Sequence, residues 1–314
     1  MNNSHSLNHR PLIGVFFDDP KEFDYPFSIE LYRIVYRQLA EDVAKKGGCL
    51  AIVRSQETYL GKKTFSHAWV DTDGTFVLKK GPLEVDVIWN KGHLKVDPGE
   101  NIINDPALDQ LCTDKWKAYK TFPDVHPRTL LLKSEKDIAT AKVEFAECMV
   151  VAKPLDAEGG AGVLIGEASS VLPKILSFPY LLQEFVDTSG GIPGLVEGMH
   201  DFRIICIEGE IAICYLRTPP PGEFTANVSR GGREIEVLKN RIPPAALKIF
   251  QKVDKHMRIF PHRLYTVDMG LDKDGQWKVF ELNSKPGFSP KETGESYVQF
   301  FNILSDFLIN ACQI

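Results

Sequence analysis

Residues 264–290, LYTVDMGLDKDGQWKVFELNSKPGFSP, decide how this chain is read. Two β-rich runs, 264–269 and 277–282, flank Asp272-Lys273-Asp274-Gly275, a turn signal between strands, so the stretch predicts a β-hairpin. With the turn centred near Asp274, Asp268 lies roughly opposite Glu281. Alternation places Glu281 and Asn283 on one face and Phe280 and Leu282 on the other. The second face is apolar core; the first gathers two carboxylates and a carboxamide. Like charges at about 4 Å repel by about 4 kcal/mol at an effective dielectric of about 20, a cost that a divalent cation removes. Oxygen-only ligands suit magnesium, which commonly takes one or two carboxylates together with substrate phosphates. A solvated acidic hairpin is the alternative, because surface carboxylates are common.

Upstream lie the elements such a hairpin would join. Residues 201–207 and 210–217 are strands meeting at Glu208-Gly209, a second hairpin. Residues 243–260 form a helix with Leu247, Phe250, Val253 and Met257 as its buried stripe, and 297–308 form a closing helix. Residues 218–222 hold three consecutive prolines and 224–233 are glycine-rich and basic, so both are loops.

Further back, 113–121 is a short helix capped by Thr113 or Asp114. Residues 128–132 are a strand, and Ser134 opens a helix with Ile138, Ala141 and Phe145 on one side. The strand 148–152 runs into Lys153-Pro154, then Asp156-Ala157-Glu158-Gly159-Gly160-Ala161-Gly162, then the strand 163–165. Glycines so closely spaced free the backbone to approach a ligand, and their N–H groups can form an anion-binding nest. Lys153 adds a fixed positive charge beside it. The pattern suits a phosphate clamp without being the Walker sequence GxxxxGKS or GxxxxGKT. The alternative is a hairpin tip followed by a solvated lysine. After a helix near 171–176, the strand 180–186 (YLLQEFV) ends in exposed Glu184 and Asp187, and 188–198 (TSGGIPGLVEG) is a loop.

The first hundred residues predict a separate α/β domain, 11–112. The run 12–17 is a buried strand ending at Asp18-Asp19-Pro20. Leu31, Ile34, Val35, Leu39 and Val43 recur at helical spacing, Lys45-Lys46-Gly47-Gly48 stops the helix, and 49–53 is the next strand. That order suggests a parallel sheet. Residues 76–79 and 85–89 are further strands. No GxGxxG follows the first strand, so the dinucleotide fingerprint is missing.

Bulk properties exclude several classes. The 314 residues carry a net charge of −5, with no basic excess to attract nucleic acid. Cys49, Cys112, Cys148, Cys206, Cys214 and Cys312 are scattered, form no CxxC pair, and read as reduced thiols of a cytoplasmic protein. The polar residues 1–10 are expected to be a disordered leader rather than a signal peptide. No apolar run approaches the roughly 18 residues a membrane helix needs.

Lys115, Lys153 with its glycine loop, QEFV at 183–186, Asp201-Phe202-Arg203, Arg217, NVSRGG at 227–232, Asp268 and ELNSKPG at 281–287 form an ordered set. That set resembles the ATP-grasp superfamily, most closely the branch of bacterial glutathione synthetase and the RimK-type carboxylate–amine ligases. The resemblance runs from about residue 100 to 290. It implies an α/β and α+β chain: a pre-ATP-grasp domain at 11–112, an ATP-grasp small lobe at 113–187 and a C-terminal lobe at 188–314.

The resemblance also implies site residues. Lys115 (with Lys117 as a close rival) and Lys153 would contact the phosphates of ATP, beside Gly159, Gly160 and Gly162. Gln183, Glu184, Phe185 and Val186 would form the hinge that faces adenine. Asp187 would be the acid near the ribose, with Glu197 as its rival because the 188–198 loop is longer than usual in the family. Asp268, Glu281 and Asn283 would hold magnesium, two ions in all, with manganese able to substitute. Arg203 and Arg217 match arginines that bind the carboxylate and the acyl phosphate, for which a guanidinium offers a bidentate fork; surface salt bridges are the alternative. Asn227, Arg230, Gly231 and Gly232 would line the acceptor end, with Pro286 and Gly287 shaping it. The glycine-rich loops at 157–162 and 188–198 would close over ATP. His200 reads as a satisfied loop histidine.

The implied activity is an ATP-dependent ligase that joins a small-molecule carboxylate to an amine, amino acid or peptide. It acts through an acyl phosphate and gives ADP and phosphate. A small-molecule kinase on the same scaffold and a non-catalytic nucleotide-binding regulator are the alternatives. No nucleic acid or membrane partner is expected; a homo-oligomer is compatible with the family.

Overall fold

The structure, a computed structural model, describes residues 10–19, 25–155, 162–224 and 231–313. The expected leader falls almost wholly outside the described residues. The chain divides into two compact units. One takes the residues through Asp105, Pro261–Leu264 and those from Lys285 on; the other takes Pro106–Phe260 and Tyr265–Ser284.

In the first unit, β1 (Leu12–Phe17) and β2 (Cys49–Arg54) are buried along almost their whole length, as parallel strands covered on both faces require. Helix α1 (Glu30–Lys45) crosses between them with Val35, Leu39 and Val43 buried, and Gly47 at φ +82° makes the left-handed turn after it. The strands β3 (Tyr59–Gly61), β4 (Thr64–Thr72), β5 (Thr75–Glu84), β6 (Val87–Asn90) and β7 (Ile102–Ile103) complete, among the described residues, a seven-stranded sheet. β2, β1, β6 and β7 run parallel; β4 joins β2 antiparallel and carries β3 and β5. In this stretch the sequence predicts only 76–79 and 85–89 as strands, the second of which is β6. The longer β4–β5 hairpin turns on Asp73 and Gly74, both at positive φ, the Asp-Gly pair suited to a tight hairpin.

The second unit opens with α2 (Pro106–Thr113) and α3 (Lys115–Thr121). Asp114 is the cap of α3, its carboxylate accepting the Lys117 N–H. Next come β8 (Thr129–Leu132), α4 (Glu135–Glu144), β9 (Met149–Pro154), β10 (Leu164–Glu167), α5 (Ala168–Val171) and β11 (Tyr180–Glu184). Their strands form an antiparallel sheet in the order β10-β9-β11-β8. Its core is small, centred on Leu132, Phe145, Val150, Leu172 and Leu182. The helix expected at 171–176 is shorter, because Pro173 allows only a 3-10 turn to Lys174 after α5.

The larger sheet of this unit is built from β12 (Asp201–Ile207), β13 (Glu210–Thr218), β14 (Arg233–Glu236), β15 (Leu264–Leu271) and β16 (Trp277–Asn283), in the order β14-β13-β12-β15-β16. Helix α6 (Pro244–Met257) packs Phe250, Val253 and Met257 into the same core as Phe202, Ile204, Val267, Met269 and Leu282. Fully burying such a side chain is worth roughly 1.5–3 kcal/mol, so this core is the heavier of the two.

The chain then returns to the first unit as α7 (Glu295–Ala311), which packs along α1. Residues 285–314, expected in the C-terminal lobe, therefore belong with the first unit. Residues 106–112, expected in the N-terminal domain, open the second because α2 packs on β16. Among the described residues, no helix is long and apolar enough to cross a membrane.

Candidate active site

Both hairpins of the five-stranded sheet carry a β-bulge, and the bulges set the site. In β12–β13, Cys206 pairs with Ile211 but Ile205 pairs with Ile213, so Ala212 is an extra residue. The shift brings Asp201 opposite Arg217. In β15–β16, Met269 pairs with Val279 but Asp268 pairs with Glu281, leaving Phe280 as the extra residue. The expected apposition of Asp268 and Glu281 is therefore present, and Leu282 lies on the core face as expected, whereas Phe280 does not. The bulge breaks the alternation, so Val279 and Leu282 enter the core and Phe280 does not. The Phe280 ring and the Thr188 methyl cover Gly270 instead. A Cβ added there would come within 2.5 Å of the ring and 2.6 Å of the methyl.

The polar face of β13, β12 and β15 is a buried ion cluster. Arg203 grips Asp268 side-on, with Nε donating to Oδ1 at 2.8 Å and Nη2 donating to Oδ2. Arg217 Nη2 donates to the same Oδ2 at 2.8 Å and also to Asp201 Oδ2. The Thr266 hydroxyl donates to Asp268 Oδ1 at 3.0 Å. All four acceptor positions of Asp268 are thereby used. Neither arginine makes a surface pair, since both are at most 9% exposed. Burial by itself would raise the Asp268 pKa; the two guanidiniums outweigh it and hold this carboxyl below the usual range. Asp201 behaves differently: burial pushes it up to about 6 against the pull of Arg217. Asp201 Oδ1 and Arg217 Nε are buried without a partner.

Glu281 is the more open carboxylate, its side chain 42% exposed, with the Lys115 ammonium 3.7 Å away. The repulsion between Asp268 and Glu281, for which the sequence called up a cation, is thus relieved by the protein's own cations. Lys115 also approaches the Leu155 carbonyl at 3.5 Å. Its rival Lys117 instead bonds Gln110 at 2.8 Å on an exposed surface. Lys153, on β9, donates to the Phe280 carbonyl at 3.3 Å, a group that the bulge leaves outside the ladder. Burial lowers the Lys153 pKa to about 8; Glu281 opposes the fall and Lys115 adds to it.

The hinge residues follow β11. The Gln183 side chain is buried and donates to Thr129 Oγ1 at 3.1 Å, and its backbone lies in a strand paired on both sides. Glu184 pairs with Arg128 at 3.5 Å. The Phe185 N–H donates to the Met149 carbonyl at 2.9 Å, and its ring meets Phe224 edge-on at 5.3 Å. Val186 is half-buried beside them. Asp187 accepts the Ser189 N–H at 3.0 Å, and the Ser189 hydroxyl together with this N–H holds its carboxyl low, whereas Glu197 is exposed. Gly162, at φ +69°, accepts a hydrogen bond from the Tyr180 hydroxyl at 3.1 Å.

The 188–198 loop, expected to close over a ligand, is pinned. Ile192 is buried in the main core, and Thr188 Oγ1 bonds both the N–H and the carbonyl of His200. The His200 ring sits between the Gly198 carbonyl at Nδ1 (3.1 Å) and the Leu271 N–H, which donates to Nε2 at 3.1 Å. Nε2 must therefore be the unprotonated nitrogen, and burial lowers the pKa of the ring. This is the satisfied histidine that the sequence predicts.

Gly159, Gly160, Asn227 and Arg230 lie outside the described residues. Gly231 takes φ +89° with Gly232 after it, just ahead of β14. Pro286 and Gly287 belong to the first unit. There Lys91 donates to the Pro286 carbonyl at 2.6 Å, and the Tyr32 hydroxyl lies close enough to Gly287 to meet an added Cβ at 3.2 Å.

The donor set tests whether a cation fits. Asp268, Glu281 and Asn283 present oxygen atoms from two paired strands, with Asn283 two residues beyond Glu281. Oxygen-only donors of this kind fit magnesium or manganese. Asp268 can join them only by giving up one of its four present bonds. Around these groups, Lys115, Lys153, Arg203 and Arg217 outnumber Asp201, Asp268 and Glu281 by one positive charge, a balance that favours a polyanion accompanied by a cation.

The sequence assigns no role in the site to four of its residues. Asp201 and Thr266 hold the arginine cluster, and Phe280 and Gly270 form the bulge contact. Counting outward from the Glu208-Gly209 turn would have set Asp201 opposite Leu216, one residue off its real partner.

Residues 115–261 match the prokaryotic glutathione synthetase ATP-grasp domain. A glutathione synthetase of Mesorhizobium japonicum is 30% identical over 148 residues, 44% of this chain and 44% of that one. A probable alpha-L-glutamate ligase of Rhodopirellula baltica is 29% identical over 174 residues, 53% of this chain and 39% of the relative. These matches thus span less than half the length of the curated relatives. In structure, D-alanyl-alanine synthetase A of Vibrio cholerae superimposes with a TM-score of 0.66 at 15% identity, over 96% of this chain and 97% of that one, a likeness of fold. Residues 115–261 thus match an ATP-grasp domain, and through that region the chain is similar to glutathione synthetases and an alpha-L-glutamate ligase.

Proposed function

We propose that this chain is an ATP-dependent ligase that joins a carboxylate to an amine through an acyl phosphate, releasing ADP and phosphate. The observation that carries this reading is the meeting, in one unit, of Lys115, Lys153, Arg203 and Arg217 with Asp268, Glu281 and Asn283. Four cations and three oxygen donors in reach of one another suit a nucleotide with its metal and an anionic substrate. Homologues named glutathione synthetase and alpha-L-glutamate ligase support amide-bond formation.

In this reading Lys153 and Lys115 hold the phosphates. The half-buried Lys153 ammonium makes only a long bond to the Phe280 carbonyl, so phosphate oxygens complete its coordination. The hinge 184–187 receives the base through backbone groups. Asp268, Glu281 and Asn283 hold magnesium, which when bound neutralises charge building on the phosphate oxygens. Arg217, with an unpartnered Nε, takes the acyl phosphate, and Arg203 keeps Asp268 in place. A substrate carboxylate oxygen bonds the γ-phosphorus as the bond to the β-bridging oxygen breaks and ADP leaves. The amine then bonds the carbonyl carbon, the carbon–phosphate oxygen bond breaks, and the ammonium proton passes to solvent. An oxyanion donor such as Arg217 is worth about 3–4 kcal/mol in such a step.

The test is a screen of paired carboxylic acids and amines with Mg-ATP, read by phosphate release and product mass. The expected result is ADP and phosphate formed in step with an amide, only when both partners are present. A stable phosphorylated product from a hydroxyl compound alone would replace this reading with a kinase.

A further inference from the structure

Asp268 cannot serve a cation as it stands. Arg203 Nε and the Thr266 hydroxyl occupy Oδ1, and Arg203 Nη2 and Arg217 Nη2 occupy Oδ2. Oδ2 is held by the two guanidiniums alone, so one of them must leave for a cation to reach it, and the geometry distinguishes between them. Arg203 spends both Nε and Nη2 on Asp268, so releasing it breaks two charge-assisted bonds. Arg217 gives Asp268 one bond, and the same nitrogen already bonds Asp201 Oδ2. Asp201 is directly across the ladder from Arg217, on the neighbouring strand, and its other oxygen is buried without a donor. Arg217 Nε is likewise buried and unpartnered. A guanidinium that turns from Asp268 toward Asp201 therefore finds an acceptor waiting, and none of its charge is left unpaired in the interior.

Building on the ligase reading, we propose that Asp201 is a positioning residue that takes Arg217 from Asp268 when a divalent cation enters. Cation entry and the freeing of Arg217 toward the anionic substrate are then one event. The two carboxylates compete for one guanidinium. A cation at Asp268 pushes Arg217 to Asp201, and Asp201 anchors the arginine beside the reacting phosphate. Asp201 touches neither metal nor substrate; it acts through Arg217. The arrangement couples metal and anion binding, because each favours the state in which Arg217 has left Asp268.

The test uses the full-length protein and calorimetric titration with ADP, with no turnover involved. ADP is titrated into wild type, Asp201→Asn and Asp201→Glu, each with and without Mg²⁺. In wild type, Mg²⁺ should tighten ADP binding. Asp201→Asn keeps size and one acceptor oxygen but removes the charge and the second acceptor that draw Arg217 away. The tightening by Mg²⁺ should shrink about tenfold, the scale of coupling between touching charged groups, while metal-free ADP binding stays within about twofold. Asp201→Glu should restore most of the tightening. The idea is overturned if Asp201→Asn keeps the full Mg²⁺ effect, or if it weakens ADP equally with and without metal, as a purely structural role would. A wild type that binds no ADP would overturn the ligase reading, and this inference with it. A wild type with Mg²⁺-dependent binding that Asp201→Asn leaves intact would overturn the inference alone.

Discussion

Within the second unit, the two sheets treat buried charge in opposite ways. The five-stranded sheet closes its charges on one another: Asp268 has four donors, and Arg217 bridges two carboxylates. The four-stranded sheet leaves Lys153 with a long bond to one carbonyl and a pKa lowered to about 8. The first arrangement pairs its charges within the fold and, in the proposed mechanism, opens for function. The second is held at a cost to the fold, which an anion relieves in the proposed mechanism. Substitutions in the two sheets should therefore separate stability from nucleotide binding.

The largest effect should come from Asp268→Ala. It leaves the buried Arg203 guanidinium without its carboxylate while Arg217 keeps only Asp201, and breaking a buried pair in this way costs about 3–5 kcal/mol. Chemical denaturation should show that loss, and ligase turnover should vanish. Lys153→Met should behave in the opposite sense. Denaturation should show unchanged or improved stability, while ADP affinity falls roughly tenfold to a hundredfold, the value of a charge-assisted bond. If Lys153→Met destabilises the protein as much as Asp268→Ala does, the contrast between the sheets is wrong.

The same contrast has a pH signature. With the Lys153 pKa lowered to about 8 in the free protein, nucleotide phosphates should pull the proton back on. ADP binding near pH 8 should take up protons, visible as a dependence of the calorimetric heat on the ionisation enthalpy of the buffer. Affinity should fall as pH rises above about 8. For folding alone, a lysine whose pKa is lowered has the opposite sign to a favourable ion pair: the folded state binds fewer protons than the unfolded one between about 8 and 10.5, so stability rises across that window.

Smaller effects test the seam between hairpin and loop. Gly270→Ala drives a methyl into the Phe280 ring and should cost about 1–3 kcal/mol, read as a lowered Tm. His200→Leu removes the acceptor of the Leu271 N–H and should cost about 1 kcal/mol. Because the folded His200 pKa lies below 6.5, its contribution is present above that pH and is lost as pH falls through the folded value.

How much was legible follows from the same bulges. The Asp268–Glu281 apposition was readable because Asp272-Lys273-Asp274-Gly275 fixes a turn. The face of Phe280 was not, because nothing in the run WKVFELN marks the extra residue. Asp201 was visible as part of Asp201-Phe202-Arg203, yet its role depends on a shift at Ala212 that no local propensity encodes. The cap of α3, the parallel β1–β2 pair and the helix stripes were readable, since each depends on local spacing. The long β4–β5 hairpin carried its own Asp-Gly signal. The association of 285–314 with the first unit was not readable, because it depends on α7 meeting α1 across the whole chain.

The central claim is that one metal-bearing nucleotide lies between Lys115 and Lys153 on one side and Asp268, Glu281 and Asn283 on the other. Crystals grown with a non-hydrolysable ATP analogue and Mn²⁺ test it directly through the anomalous signal of manganese. The account predicts a manganese peak bonded to Glu281 and Asn283, with Asp268 joining after Arg217 has moved, and phosphate oxygens on Lys153. A manganese peak elsewhere, or a triphosphate out of reach of Lys153, would contradict it.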